Sequence, residues 1–194
     1  MYGDIMLKLL YFMAILKNNF YIITGGPGVG KTTLINELER RGYNCMPEVA
    51  REIIKQQVSD NGDALPWKNT QKYSDLMLSY SVRDFIYLSE DDDLRFFDRG
   101  IPDTYGYELL MKFDENKQLI DALNNYRYNK TAFVLPPCED IYVKDEERKQ
   151  DFRTAVDTYN VMKQAYGNAK YNLIEIPFMT VSGRADFLLD HILI

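Results

Sequence analysis

The chain has 194 residues, a formal net charge of −6 and a pI of about 4.9. Its one histidine and two cysteines are too few for a Cys/His zinc site and leave little material for Cys-His or Ser-His-Asp catalysis. Carboxylates, lysines, arginines and backbone amides must therefore provide any general acid–base catalysis and electrostatic stabilisation. The acidic balance argues against a nucleic-acid partner, and the lack of a disulfide framework favours a cytoplasmic location.

Residues 1–17 form a leading segment that we separate from the domain expected over residues 18–194. The run Ile5–Leu16 is apolar except for Lys8, but it is too short to span a bilayer, and no small-residue cleavage site follows it. We expect an N-terminal extension or a short leading helix, with a secretion signal or anchor as the alternative. We therefore expect no membrane partner.

Short apolar runs alternate with longer amphipathic stretches, as in parallel strands joined by crossover helices. The predicted strands are Phe20–Ile23, Tyr43–Met46, Leu94–Phe97, Ala132–Leu135 and Tyr171–Ile176. The predicted helices are Thr32–Arg41, Val49–Val58, Asn69–Ser89, Asp145–Tyr166 and Arg184–Ile192, with Gly42 and Gly167 at two C-terminal ends and Ser182 as the last N-cap. This order predicts an α/β three-layer sandwich around a five-stranded, parallel, doubly wound sheet, whose ligands bind beyond the carboxyl ends of the strands.

The first predicted strand leads directly into a glycine-rich phosphate-binding motif. Residues Gly25-Gly26-Pro27-Gly28-Val29-Gly30-Lys31-Thr32 fit G-x-x-x-x-G-K-[ST] at every position, between a strand and a helix. Glycines let successive N–H groups turn towards an anion, which the helix N-terminus also attracts. We expect Lys31 to reach the β- and γ-phosphates of ATP, Thr32 to hold Mg²⁺ and Thr33 to contact the α-phosphate. The alternative is an incidental glycine-rich turn.

Glu48 and Arg51 follow the second predicted strand, at the same ligand-binding edge. Because they are three residues apart, both side chains can lie on one face of the first helical turn. A carboxylate placed there can accept a proton from a substrate hydroxyl, and the arginine can hold a hydroxyl or a phosphate. The alternative is a local salt bridge beside a helix N-terminus.

Three aromatic residues lie in or just before the long predicted helix. Trp67 precedes it, and Tyr73 and Tyr80 share one of its faces. Such a stripe either stacks on a planar substrate or packs into the core, and core packing is the more common outcome.

An acid and a basic residue end the third predicted strand. Asp98 follows the apolar run Arg95–Phe97, where P-loop proteins place the carboxylate that holds the Mg²⁺ shell. Arg99 follows at once and is suited to contact substrate phosphate or hydroxyl groups. The alternatives are an N-cap or turn role for Asp98 and a surface ion pair for Arg99.

Basic residues also lie between the fourth and fifth predicted strands. Lys149 and Arg153 are i,i+4 neighbours in a predicted helix, and Arg148 lies beside them. Kinases of this architecture carry a lid here, whose bases stabilise the transferring phosphoryl group and exclude water. We expect Arg148 and Arg153 to act in this way and Lys149 to contact the nucleotide, with a solvated charged helix as the alternative.

Taken in order, these motifs resemble the AAA-type predicted ATPase/kinase domain family, which includes the nicotinamide riboside kinase domain. The matching segments run from Phe20 to Leu189 and are GGPGVGKTTL, PEVAREI, FFDRGIPD, FVLPPCEDIY, DEERKQDF and IEIPFMTVSGRADFLL. The resemblance implies a cytoplasmic Mg-ATP-binding domain with a P-loop kinase fold, with the adenine against the lid helix and residues 177–183. It does not imply a nicotinamide substrate, because no determinant for that ring is visible. A GTPase is disfavoured, because Asn129–Ala132 lacks the aspartate of N-K-x-D.

Two functions remain open at this stage. The first is a small-molecule kinase that transfers the γ-phosphoryl group of ATP to a hydroxyl of an unidentified, nucleoside-like acceptor. The second is an ATP-dependent regulatory ATPase or switch that acts on a protein partner. A pocket beside the γ-phosphate would favour the kinase. The sequence gives no indication of a homodimer and does not exclude one.

Overall fold

Five parallel strands form the central sheet of a computed structural model, which describes residues 14–138 and 148–192, the side chains of 148–151 excepted. In chain order, the described elements are β1 (Ile15–Leu16), β2 (Phe20–Gly25), α1 (Lys31–Arg40), β3 (Asn44–Met46), α2 (Val49–Ser59), α3 (Thr70–Tyr87), β4 (Arg95–Asp98), α4 (Ile101–Met111), α5 (Lys117–Asn125), β5 (Tyr126–Arg127), β6 (Thr131–Leu135), α6 (Arg148–Asn168), β7 (Asn172–Glu175) and α7 (Val181–Asp190). The order of the sheet is β3-β4-β2-β6-β7. The prediction of a doubly wound α/β sandwich is therefore confirmed.

The strand register brings the predicted functional segments to one edge of the sheet. Ile23 of β2 pairs with Asp98 of β4 and with Phe133 of β6. Met46 of β3 pairs with Phe97 of β4, so the chain following β3 emerges beside the chain following β4. Because all these strands are parallel, the segments that follow their carboxyl ends share one edge.

Alternating strand residues fill two cores on opposite faces of the sheet. Phe20, Ile22 and Phe97 pack into the core covered by α3, α4, α5 and α6. Ile23 and Phe96 face the other core, which α1 and α7 cover. The buried strands are apolar on both faces, as expected in a parallel sheet with helices on each side.

The described part of the leading segment is a strand. β1 pairs in parallel with β5, and the Lys17 N–H donates to the Arg127 carbonyl over 2.8 Å. The rest of the leading segment, residues 1–13, lies outside the described residues.

Several element boundaries differ from the predictions. The prediction that Ser182 caps the last helix is wrong, because Thr180 is the N-cap and its hydroxyl accepts from the Gly183 N–H. The prediction that Gly167 ends α6 is also wrong: the helix includes Gly167, and the turn follows at Lys170, whose φ is +62°. Gly42, with φ +89°, does end α1 as predicted.

Candidate active site

The glycine-rich loop forms the turn expected of a phosphate-binding motif. Gly28 and Gly30 have φ values of +73° and +87°, which side chains rarely adopt, and α1 begins immediately afterwards at Lys31. Gly26 lies against α6, where an added Cβ atom would be 3.0 Å from the Ala155 carbonyl oxygen. The nine predicted phosphate-loop positions therefore run from Gly25, the last residue of β2, to Thr33 in the first turn of α1, and α6 packs against the loop.

Lys31 and Asp98 form a buried ion pair at the end of the sheet. Lys31 Nζ lies 2.6 Å from Asp98 Oδ1, and the two side chains are 6% and 7% exposed. The carboxylate compensates the buried lysine charge, which would otherwise be costly. The pair brings together the predicted phosphate-binding base and the predicted metal-binding acid.

Arg99 is held between two carboxylates next to this pair. Its Nε donates to Glu48 Oε1 over 2.7 Å, and its Nη1 donates to Asp103 Oδ1 over 3.2 Å. Its backbone is left-handed, with φ +72°, a conformation that costs a non-glycine residue about 1 kcal/mol or more. The surface-pair alternative for Arg99 does not hold, since the side chain is 21% exposed and spans two elements.

These contacts keep Glu48 ionised. Burial alone would raise the pKa of the Glu48 carboxyl, but the charges of Arg99 and Lys31 outweigh it and lower the pKa below 4.5. Burial lowers the pKa of Arg99, and the Asp103 and Glu48 carboxylates more than reverse that effect. Glu48 is therefore an anionic hydrogen-bond acceptor at neutral pH.

Arg51 lies on the phosphate side of Glu48. Its Nε is 3.2 Å from Glu48 Oε2, as the i,i+3 spacing predicts, and its Nη2 donates to Thr32 Oγ1 over 3.1 Å. A cleft of about 430 Å³ lies between α1 and α2 beside this contact, and its lining residues include Thr32, Ile35, Asn36, Glu39, Glu48, Arg51, Glu52 and Lys55. The structure thus places Arg51 beside the phosphate loop.

A second, more apolar cavity of about 210 Å³ lies on the other side of Glu48. Its lining residues come from the ends of β3 and β4 and from four helices; they include Glu48, Arg99, Asp103, Tyr73, Met77, Ser81, Asp84, Phe97, Tyr107, Tyr128, Thr158 and Met162. Pro47, Glu48 and Asp98 line both this cavity and the cleft beside Thr32. The two predicted catalytic carboxylates therefore lie at the boundary between the two spaces.

The three aromatic residues in and before α3 have different surroundings. Tyr73 is buried and lines the cavity, and burial, followed by the nearby Glu48 charge, raises the pKa of its hydroxyl to about 12. Tyr80 instead donates to Gln56 over 2.5 Å, which joins α3 to α2. Trp67 is 63% exposed.

The predicted lid bases lie at the start of α6. Arg148 and Lys149 belong to its first turn, but their side chains lie outside the described residues. Arg153 is exposed, two residues before the Ala155 contact with the phosphate loop. Thr158 and Met162, further along the helix, line the apolar cavity.

Two residues in this region have structural positions that the motifs did not indicate. Asp103, in the first turn of α4, accepts from Thr24, Tyr166, Arg99 and the Gly100 N–H, and so fixes Arg99 in place. Arg184 of α7 donates from Nη1 to the Val29 carbonyl of the phosphate loop over 3.1 Å. Asp103 follows the DRG triplet and Arg184 lies in the last matched segment, but only the tertiary contacts give either residue a role.

Two kinds of feature are absent from the described residues: a metal site formed by protein side chains alone, and a membrane-spanning helix. Residues 14–138 and 148–192 contain no group of three His, Cys, Asp or Glu residues placed to hold a metal ion. Over the same residues, every helix is too short or too polar to cross a bilayer.

The sheet order, the phosphate loop and the Lys31–Asp98 pair define a P-loop NTPase, the class that includes P-loop phosphotransferases and ATPases. The chain belongs to the AAA domain family, whose family model matches residues 20–184. A search of curated proteins found no significant match. The family implies nucleotide binding.

Solved structures with the same fold include kinases. A NadR protein in complex with NR superposes with a TM-score of 0.63 at 15% identity; the match covers 92% of this chain and 50% of NadR, so the chain spans half of that protein's length. Thymidylate kinase from Ehrlichia chaffeensis gives 0.57 at 16% identity, over 91% of this chain and 99% of the kinase. Deoxyadenosine kinase from M. mycoides gives 0.54 at 15% identity, over 89% and 97%. The kinase-like fold is thereby confirmed.

Proposed function

We propose that this protein is a small-molecule kinase that transfers the γ-phosphoryl group of ATP to a hydroxyl of a nucleoside-like acceptor. The observation that carries the proposal is that Asp98 pairs with Lys31 of the phosphate loop while Asp98 and Glu48 both line the apolar cavity. A phosphotransferase needs two adjoining sites of this kind, one for each substrate. Several solved structures with this fold are nucleoside or nucleotide kinases, which supports the choice of acceptor class.

The phosphate loop is the proposed ATP site. The N–H groups of Gly26 and of Gly28 to Thr33, at the N-terminus of α1, hold the phosphates, and Lys31 moves from Asp98 to the transferring group. Arg153 and the two bases before it in α6, Arg148 and Lys149, close on the same phosphates from the other side. Arg184 donates a hydrogen bond to the Val29 carbonyl and so stabilises the phosphate loop on the side where the adenine of ATP would bind.

The hydroxyl of Thr32 and the carboxylate of Asp98 fit Mg²⁺, because that ion prefers oxygen ligands and usually combines one or two protein groups with substrate phosphates. When bound, Mg²⁺ neutralises charge on the phosphates as the transfer proceeds. Asp98 is freed for this role once Lys31 pairs with phosphate.

Glu48 and Arg99 position the acceptor. The ionised Glu48 accepts a hydrogen bond from the acceptor hydroxyl and aims its oxygen at the γ-phosphorus. A new O–P bond then forms, the bond between the γ-phosphorus and the bridging oxygen breaks, ADP leaves and the hydroxyl proton passes to Glu48 and on to water. Because its pKa is lowered, Glu48 contributes mainly by orientation, and the proton leaves late in the transfer.

The open cavity disfavours the alternative of a regulatory ATPase. A switch that acts on a protein partner needs no acceptor pocket next to the γ-phosphate. The cavity beside Glu48, with a volume of about 210 Å³ and a largely aromatic and aliphatic lining, has the character of a small-molecule site.

The test is ATP consumption measured with a panel of ribonucleosides, deoxyribonucleosides, their monophosphates and small alcohols. The kinase proposal predicts that at least one acceptor raises turnover well above the rate with water alone. If every acceptor leaves the rate at the water background while ATP is still hydrolysed, the ATPase alternative replaces it.

A further inference from the structure

Two buried polar atoms in the apolar cavity lack partners in the described part of the protein. Asp84 Oδ2 and the Tyr107 hydroxyl are both inaccessible to solvent, and neither has a hydrogen-bond partner within residues 14–138 and 148–192. Both residues line the cavity beside Glu48. Buried polar atoms are nearly always hydrogen-bonded, so two orphans in one cavity indicate a ligand that completes them.

The Asp84 side chain is 8% exposed, so it is more than nine-tenths buried. Its other oxygen, Oδ1, accepts from Arg83 Nε over 2.7 Å, and Arg83 is half exposed and stacks on the Tyr80 ring. The arginine therefore satisfies one oxygen from the outer side of α3, while the second oxygen of this cavity-lining residue has no partner among the described residues.

Tyr73 and Asp84 stand at the two ends of the α3 residues that line the cavity. Tyr73, Met77, Ser81 and Asp84 form the cavity wall contributed by α3, and Tyr73 is the member close to Glu48. At 1.5 Å rise per residue, Asp84 is about 16 Å along the helix from Tyr73. A ligand with its reacting hydroxyl at Glu48 would therefore meet Asp84 with a group other than that hydroxyl.

The residues of the cavity wall determine which chemical groups the ligand must carry next to Asp84. A carboxylate oxygen only accepts hydrogen bonds, so the ligand must supply a donor. The neighbouring Phe97, Tyr128 and Met77 side chains favour a flat, apolar group around that donor. The Tyr107 ring packs on Tyr73, with 5.6 Å between ring centroids, and its hydroxyl can donate to or accept from another polar atom of the ligand.

We propose that the acceptor carries a planar nitrogen base whose N–H group donates to Asp84 Oδ2, so that Asp84 is the residue that selects the base. This inference rests on the proposed kinase function for the identity of the cavity as the acceptor site. Asp84 does not touch the reacting atoms, and its effect is on which acceptor binds.

The experiment compares matched ligands that differ only in the donor. Calorimetry with wild-type protein measures the affinity of adenosine against purine riboside and of cytidine against pyrimidin-2-one riboside, without ATP. We expect the donor-bearing member of at least one pair to bind about tenfold or more tightly, since hydrogen bonds to a charged group are strong. This comparison does not depend on any variant folding.

Variants assign the preference to Asp84. Asp84→Asn keeps the shape of the side chain but replaces one carboxylate oxygen with an amide nitrogen. We expect this variant to reduce the affinity ratio between the two ligands of the donor-dependent pair to less than about threefold. Tyr107→Phe should weaken both members of the pair. Asp75→Asn, an exposed carboxylate on the same helix, is the matched control and should leave all affinities unchanged.

The outcomes separate this inference from the proposed function. Equal affinity within every pair, or an unchanged preference in Asp84→Asn, overturns the role of Asp84 even if a nucleoside is phosphorylated. A donor preference that needs Asp84, without phosphorylation of that ligand by Mg-ATP, supports Asp84 and overturns the kinase. If nothing in the panel binds or is phosphorylated, both proposals fail.

Discussion

At the scale of single residues, Lys31 and Asp98 form a buried ion pair at the end of the phosphate loop. Both side chains are more than nine-tenths buried, and each compensates the other's charge. Removing one partner of such a pair leaves an uncompensated charge, whereas removing both does not.

We predict that Lys31→Ala abolishes nucleotide binding and lowers the free energy of unfolding by about 3 kcal/mol, because Asp98 loses its partner. The double variant Lys31→Ala/Asp98→Asn should regain much of that stability without regaining nucleotide affinity. Chemical denaturation and calorimetry measure the two quantities separately. Nucleotide affinity unchanged from wild type in the single variant would refute the phosphate-loop assignment.

Replacing Glu48 tests the residue that separates the two spaces. We predict that Glu48→Gln lowers kcat/KM by about 100-fold or more, the usual effect of a positioned acid or base. Since the pKa of Glu48 is lowered, the wild-type carboxylate is ionised from pH 5 to 8, and the defect should be similar across that range. Asp75→Asn, an exposed carboxylate on α3 outside both spaces, is the control and should behave as wild type.

The same substitution predicts a pH-dependent difference in stability. A carboxyl whose pKa is lower in the folded state stabilises the fold above its unfolded value and loses that contribution as pH falls through its folded value. The gap in unfolding free energy between wild type and Glu48→Gln should therefore shrink below pH 4.5, the ordinary value for this group. A gap that widens on acidification would contradict the Arg99 and Lys31 contacts.

Residues adjacent to a recognisable motif were predictable, and residues that act through tertiary contacts were not. The spacing of the phosphate-loop motif identifies Lys31 and Thr32 from the sequence. Glu48 and Asp98 can be identified because they follow predicted strands whose ends share one edge of the sheet. Asp103 belongs to the site only because α4 folds back against β2 and α6. A single sequence carries no signal for such a contact.

At the scale of elements, the contact between the phosphate loop and α6 is tight enough to test. We predict that Gly26→Ala loosens nucleotide binding and destabilises the fold by about 1–3 kcal/mol, because the new Cβ meets the Ala155 backbone at 3.0 Å. Thermal denaturation and nucleotide titration measure both effects.

Gly167→Ala is the matched control for that substitution. Gly167 lies within α6, and an added Cβ meets no atom within 4 Å among the described residues. Alanine is the better helix former, so this variant should be neutral or more stable by up to about 1 kcal/mol. Equal losses in both variants would show that the α6 contact with the loop is unimportant.

The helices missing from the prediction show where periodicity fails. α4 buries residues on several sides, including Asp103, Gly106 and Glu108, so it has no apolar stripe. Gly106 lies so close to α6 that an added Cβ would clash with Met162. α5 is short, with nine residues, and has a clear apolar face, yet its Lys, Gln and Asn content resembles that of a loop.

At the scale of the whole molecule, the sheet order and the two adjoining spaces account for one function. The described sheet brings the ends of β2, β3 and β4 together, and the segments that follow them carry the proposed phosphate, metal and acceptor contacts. The scarcity of histidine and cysteine fits this chemistry, because phosphoryl transfer depends mainly on positioned charge.

Ligand binding should stabilise the entire fold. We predict that ATP with Mg²⁺ at about 100 times its dissociation constant raises the unfolding free energy by about 2.7 kcal/mol, because only the native state binds it. Removing Mg²⁺ with EDTA should reduce the shift, and Lys31→Ala/Asp98→Asn should show none. Differential scanning calorimetry measures the shift, and a full shift in that double variant would contradict the proposed site.

The most direct test of the central claim is to look for the phosphorylated acceptor itself. Wild-type protein and Glu48→Gln are each incubated with Mg-ATP and a nucleoside panel, and the nucleosides are analysed by mass spectrometry. The proposed function predicts that one nucleoside gains a single phosphoryl group with wild type, and about 100-fold more slowly with Glu48→Gln. ATP hydrolysis by wild type with every nucleoside recovered unmodified would contradict it.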